Sequence, residues 1–322
     1  MKYLKENGSL PAIASVVVIL IVVIIFMATG RTHEEKHRHV SLIVYGEDSE
    51  RWENLRQGAE LACGENNADI NILTMSSEDD AAEQEEIIDR EIEDGADALI
   101  IAACNSKEIG SFIKDKKPKI PVVFVETGSE EGDVRCFSPD DYRMGYELGE
   151  EIVAKESDIV TVSVVFENSD RKSVALREKG LMDAIEGKVG RVIKWEKNEA
   201  VKNANTRTFI QKELVSRATD VIVTFDNSTT DALMDALENL NKSSKVYSIA
   251  TSDKAVYNLY NKRIKALLYT NEYSMGYLAA VYALDRPYFQ KRYQDEVIDH
   301  RIVRKENMYD EDNQTLLFPF VD

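Results

Sequence analysis

Cysteine is scarce in this chain of 322 residues: Cys63, Cys104 and Cys136 are all it has, and none belongs to a C-x-x-C. An odd number without that spacing gives neither a disulfide framework nor a cysteine-built zinc site. The three side chains are expected to be reduced and mostly buried. Cations are in deficit. Forty Lys and Arg stand against 58 Asp and Glu, a formal net charge of −18. That balance argues against a nucleic-acid partner, which demands a basic footprint, and against docking on anionic lipid through surface charge. Catalytic signatures are missing as well. There is no G-x-S-x-G, no G-x-G-x-x-G and no phosphate loop of the G-x-x-x-x-G-K type. His33-Glu34-Glu35-Lys36-His37 does fit H-E-x-x-H, but the only histidine beyond His39 is His300. Zinc-protease chemistry needs both histidines on a buried helix face and a third ligand, so the pentapeptide reads as a solvated spacer. Neither an enzyme nor a metal or cofactor is expected.

One long apolar run is present. Residues 10–29, LPAIASVVVILIVVIIFMAT, carry no charge. About 20 residues suffice to cross a bilayer core, whereas the apolar part of a secretory signal is roughly 7–15 residues. Length favours an uncleaved transmembrane anchor. Ala28-Thr29-Gly30 loosely resembles a cleavage site, which keeps a signal segment as the alternative. The expected layout is a short cytoplasmic stretch at 1–9, the span at 10–29 and a charged linker at 30–39. The globular part then lies outside the cytoplasm at the cell membrane.

The rest of the chain is organised around residues 40–62. A β-rich apolar run ends in a polar turn at 46–49, and Trp52, Leu55, Ala59 and Ala62 then recur at helical spacing. This strand–loop–helix unit repeats. Apolar runs at 69–74, 98–103, 121–125, 159–165, 191–195, 221–225, 245–250 and 264–269 read as strands, with helical patterns between most of them. The basic stretch 114–119 reads as a turn. Such alternation predicts an α/β fold of two Rossmann-like lobes with parallel sheets. Ligands of such folds sit at the carboxyl ends of strands. The loops at 46–49, 102–106, 126–129, 168–172, 226–228 and 251–253 are therefore the candidate functional positions.

The order and wording of these units resemble the periplasmic sugar-binding proteins of the ribose-binding type. Leu55-Arg56-Gln57-Gly58-Ala59 looks like the L-x-x-G-A of that family's first helix, and Asp94-Gly95-Ala96-Asp97-Ala98 looks like the entry to its third strand. Ile120-Pro121-Val122-Val123 is similar to its I-P-V-V. Residues 140–145 and 271–278 look like its two lobe crossovers, and 302–307 like its terminal l-V-T-k-e-N. The likeness runs from about residue 40 to 307, and its strength lies in the colinear order. It implies two lobes joined by a three-segment hinge: 39–140 plus 271–299, and 141–270 plus 300–322. It also implies closure on a small polar, sugar-like ligand, delivered to an ABC permease or to a membrane sensor such as a histidine kinase.

Carried over position by position, the family's ligand contacts fall on Ser49, Arg51 and Trp52 in the first loop, and Glu126 and Thr127 after the strand at 121–125. In the second lobe they fall near Arg177, on Asp226, and on Ala250 with the acid Asp253 three residues on, and at the return crossover on Thr270, beside Asn271. Asn105 and Asn227 join them as polar residues of the cleft loops. One ring of the family's aromatic pair survives, as Trp52. The base expected beside Glu126 is replaced by Thr127, and the clamping arginine's place is taken by Ala175, with Arg177 two residues on. The fold is kept while the pentose chemistry mostly is not. Two readings follow: a different polar ligand, such as a polyol, an amine-bearing sugar or another cationic solute; or a ligand-free regulatory module partnering a sensor kinase. Plain structural roles also suit several of these residues. Trp52 fits a core position, Asp226, Asn227 and Asp253 fit helix caps, and 167–171 fits an ordinary turn.

Overall fold

Apolar strands and amphipathic helices alternate along the chain, and the strands sort into two sheets. The computed structural model describes residues 37–130, 134–157, 159–197 and 205–317. The expected span at 10–29, with residues 1–9 and most of the linker, lies outside them. Among the described residues no helix is long and apolar enough to cross a membrane.

The first sheet runs β2-β1-β3-β4-β5, from β1 (Arg38–Val44), β2 (Ala68–Thr74), β3 (Ala98–Ile101), β4 (Val122–Val125) and β5 (Cys136–Phe137). Helices α1 (Glu53–Glu65), α2 (Ala81–Glu93) and α3 (Ser106–Lys116) connect its strands. The chain then crosses into the second lobe with α4 (Asp141–Lys155), β6 (Thr161–Phe166), α5 (Lys172–Ile185), β7 (Arg191–Glu196), α6 (Thr206–Ser216) and β8 (Val221–Thr224). That lobe continues through α7 (Asn227–Asn239), β9 (Lys245–Ile249), α8 (Asp253–Tyr260) and β10 (Ile264–Thr270). A second crossing returns α9 (Glu272–Leu284) and α10 (Arg286–Arg292) to the first lobe, and a third brings β11 (His300–Val303) and α11 (Glu311–Leu317) to the second. The second sheet is ordered β11-β10-β9-β8-β6-β7, parallel except for β11 against β10. Central strands such as β3 and β8 are buried at every position, as expected of parallel sheets covered on both faces.

Three features depart from the expectations. Residues 106–116 form a helix, and Lys114 and Lys116 lie in its last turn rather than in a loop. Ile109 and Ile113 give it a buried stripe, Asn105 caps it, and the two lysines suit the negative end of its dipole. The short β5 and the antiparallel β11 were not foreseen. Both make only edge pairings.

Two helix seams repeat one design. Helix α4 begins at Asp141-Tyr142-Arg143-Met144-Gly145-Tyr146 and α9 at Glu272-Tyr273-Ser274-Met275-Gly276-Tyr277. A side-chain cap precedes each: Asp140 accepts from the Arg143 amide and Asn271 from the Ser274 amide. A Cβ on Gly276 would lie 1.9 Å from the Leu55 carbonyl oxygen of α1, and one on Gly58 of α1 would lie 1.9 Å from that of Tyr273. In the other lobe a Cβ on Gly145 would meet the Arg177 carbonyl oxygen at 1.9 Å, and one on Gly180 that of Tyr142 at 2.0 Å. In each lobe, glycine thus lets the returning helix lie backbone to backbone on its neighbour.

Candidate functional site between the lobes

Parallel strands place their following loops at one edge of each sheet, and here the two edges meet. The loops hold each other by direct hydrogen bonds. The Ser106 amide donates to the Asp170 carbonyl at 3.0 Å, and the Lys172 amide to Ser106 Oγ at 2.9 Å. Thr127 Oγ1 accepts from the Ser173 amide at 3.3 Å. Across the boundary, Thr251 Oγ1 donates to Glu272 Oε1 at 2.6 Å.

Charged groups close the rest of the cleft. Arg171, in the loop after β6, is 1% exposed. Its guanidinium reaches into the first lobe, 4.0 Å from the Tyr45 ring centre and 2.8 Å from Glu78 Oε2, while Asp226 of its own lobe lies 3.7 Å away. Burial pushes the Asp226 carboxyl up, but Arg171 and donors from Thr229 and Asn168 outweigh it and leave Asp226 below its usual range. Arg177 of α5 donates to Asp141 at 2.8 Å and to the Phe225 carbonyl at 2.9 Å, with Glu126 at 3.5 Å. Burial still raises Asp141 to about 6, against the pull of Arg177. Glu126 also accepts from the Tyr45 hydroxyl at 2.9 Å.

Asp141 and Glu272 are the matching first residues of the two seam helices. Both are buried, and each faces an arginine's field: Arg177 for Asp141, and Arg51 for Glu272. Of the methionines that follow, Met275 lines the space between the lobes and Met144 lies in the second lobe's core. Met144 sulfur accepts from Thr270 at 3.8 Å and Met275 sulfur from the Glu126 amide at 3.2 Å.

The space these groups enclose between the lobes is a cavity of about 20 Å³, room for roughly one water. Arg51, Glu126, Arg177, Asp226, Asn227 and Glu272 are among its lining residues. Arg51 stacks 3.6 Å from the Trp52 ring centre, and its Nη1 is buried with no hydrogen-bond partner. A buried guanidinium nitrogen without an acceptor is costly and marks the point in this cavity where an acceptor is lacking.

Of the residues expected from sequence, Arg51, Glu126, Arg177, Asp226, Asn227 and Thr270 are brought together around this cavity. Thr127 is buried beside it, bonded to Ser106 and Ser173. Trp52 is fully buried in the first lobe's core, its indole nitrogen donating to the Tyr45 carbonyl at 3.2 Å. Ser49 is exposed ahead of the short turn at Glu50–Trp52. Asn105 and Asn271 cap α3 and α9. Asp253 is exposed at the first position of α8, whose cap is Ser252. Asp226 does cap α7, and Asn227 clips the neighbouring loop by accepting from the Thr251 and Ser252 amides. Sequence reasoning missed Tyr45, Glu78, Arg171 and Glu272. Arg171 lay in a loop singled out by topology, but its partners are supplied by the other lobe.

The fold matches known proteins. The chain belongs to the periplasmic binding protein domain family, which it matches over residues 40–286. No curated protein matches it. Among solved structures, an ABC transporter solute-binding protein from Agrobacterium vitis with bound D-fucose is similar at 17% identity and a TM-score of 0.76, over 87% of this chain and all of that one. A carbohydrate transporter solute-binding protein from Agrobacterium radiobacter in complex with D-arabinose aligns at 18% identity and a TM-score of 0.74, over 88% of this chain and 99% of that one. A glucose-galactose binding protein from Geobacillus stearothermophilus aligns at 16% identity and a TM-score of 0.72, over 85% of this chain and 99% of that one.

Proposed function

We propose that this protein is a membrane-tethered, extracytoplasmic solute-binding protein that captures a small carbohydrate-like molecule between its lobes. It passes that molecule to an ABC permease or reports it to a membrane sensor. The observation that carries the reading is the buried, unpartnered Arg51 Nη1 at a cavity ringed by side chains from both lobes. A hydroxyl oxygen placed there supplies the missing acceptor, and Glu126, Asp226 and Glu272 accept from neighbouring hydroxyls. A sugar does not fit in about 20 Å³. Capture therefore requires the lobes to swing apart about the three crossings and to close again around the ligand.

The same small volume favours a second reading. Arg171 and Arg177 neutralise the cleft's acids from within, so the closed form needs no ligand to hold it. A regulatory module that partners a sensor kinase would look the same.

The test is a thermal-shift screen of the full-length chain in detergent against sugars, polyols and amino sugars. A ligand at a hundred times its dissociation constant adds about 2.7 kcal/mol of stability. The expected result is a saturable hit that Arg51→Gln abolishes while leaving the unliganded protein folded. A blank screen on a cooperatively folding protein overturns the solute reading in favour of the module.

A further inference from the structure

A second recess, of about 370 Å³, shares Glu272 and Thr270 with the wall of the central cavity. Three parts of the chain build it: Asn54 at the start of α1 in the first lobe, the crossing from Tyr269 to Tyr273, and Leu316 of α11 in the second lobe. Its volume is in the range of small-molecule sites, and it is open while the lobes are closed.

Tyr269, which lines it, is 2% exposed. Among the described residues its hydroxyl makes no hydrogen bond, yet that oxygen is not sealed from solvent. A buried tyrosine hydroxyl usually finds a partner, so this one marks a place for a ligand's oxygen. The Asn54 amide, half-buried, also has no hydrogen-bond partner among the described residues. One oxygen of Glu272 accepts from Thr251, and the other has no donor among the described residues. Leu316 and Tyr273 add carbon surface.

The surrounding charges select against ions. Glu272 and Asp253 are the charged groups that bear on the Tyr269 hydroxyl, and both repel an anion. A cation gains little from Glu272, which already lies in the field of Arg51. A neutral molecule with neighbouring hydroxyls suits both walls, because a hydroxyl can accept from Tyr269 and donate to Glu272.

We infer that this recess is a second ligand site, taking a neutral sugar or polyol of monosaccharide size. Its hydroxyls meet Tyr269, Asn54 and Glu272, and its carbon face lies against Leu316. The site does not depend on a ligand entering the central cavity. Because Asn54 belongs to one lobe and Leu316 to the other, a molecule held by both favours the closed arrangement.

The experiment is isothermal titration of the full-length chain in detergent with D-glucose as the probe. The expected result is saturable binding that Tyr269→Phe weakens about threefold to tenfold, the scale of one lost neutral hydrogen bond, and that Arg51→Gln leaves in place. Tyr269→Phe keeps the ring that packs in the second lobe's core and removes an unpaired hydroxyl. Its melting temperature without sugar should therefore equal or exceed the parent's. Tyr257→Phe, the same change at an exposed tyrosine, should leave affinity unchanged. Binding that Arg51→Gln abolishes and Tyr269→Phe leaves untouched puts the sugar in the central cavity alone, which overturns the recess and keeps the proposed function. No saturable heat with the parent chain overturns the recess as well.

Discussion

The Arg171 guanidinium carbon sits 4.0 Å from the centre of the Tyr45 ring, although the two residues belong to different lobes. The arginine is buried, and its remaining partners are Glu78 of the first lobe and Asp226 of the second. A single side chain thus joins an aromatic face and two acids across the boundary that must open for a solute to enter.

Removing that side chain should loosen closure. Arg171→Ala leaves Asp226 buried without its cation, and breaking such a pair costs roughly 3–5 kcal/mol. Part of the loss is expected as a lower melting temperature and part as a larger radius of gyration in solution scattering. A radius unchanged from the parent would mean that Arg171 does not hold the lobes together.

Glu178 makes stability depend on pH. Its carboxyl titrates near 4.5 in an unfolded chain and is raised to about 8 by burial in the folded one. The folded state binds the proton more tightly, so this contribution is full below about 4.5 and is lost as pH rises towards 8. Lys194 opposes the shift, while Asp226 and Glu196 reinforce it. Glu178→Gln should therefore match the parent near pH 5 and exceed it near pH 8, by of order 2–4 kcal/mol. Denaturant melts at the two pH values measure the difference.

The seams should not tolerate a methyl group. Gly276→Ala places a Cβ 1.9 Å from the Leu55 carbonyl oxygen, a backbone atom that cannot step aside. The expected cost is roughly 3 kcal/mol or more. Gly64→Ala, where a Cβ meets nothing within 4 Å, should be neutral or slightly stabilising because it lies inside a helix. Equal melting temperatures for the two variants would contradict the backbone contact.

Asn105 separates a capping role from a ligand role. Its side-chain oxygen accepts from the Lys107 and Glu108 amides at 3.1 and 3.0 Å. Asn105→Ala should cost about 1 kcal/mol of stability and leave solute affinity unchanged. A loss of affinity without a loss of stability would return Asn105 to the binding site.

The architecture was legible because parallel strands buried on both faces announce themselves. Ala98–Ile101 and Val221–Thr224 are short apolar runs with helices on either side, and their order along the chain limits the topology. Cys136–Phe137 is too short for any periodicity to reveal. The helix Ser106–Lys116 carried its signal in Ile109 and Ile113, but the lysines at its end read as a turn. The site was only half legible. Arg51, Glu126 and Asp226 follow strands, where topology directs attention, and Arg177 lies within the helix that follows one. Arg171 follows a strand too, but what makes it special is an acid 93 positions earlier in the chain. The kinship of the two seam helices is likewise written in Met144-Gly145-Tyr146 and Met275-Gly276-Tyr277, yet its meaning emerges only when each glycine is seen against its neighbouring backbone.

The order of the crossings also has a consequence for biosynthesis. Met275, Leu278, Ala279 and Val281 share one apolar core with Leu55 and Ala59. A ribosome that has just made β5 has every strand of the first sheet but none of the helix that covers this face. About 130 more residues must emerge first, which at about 5–20 residues per second takes roughly ten seconds. The half that is made first is therefore the half that must wait, with the apolar stripe of its first helix uncovered and open to chaperones until the chain returns.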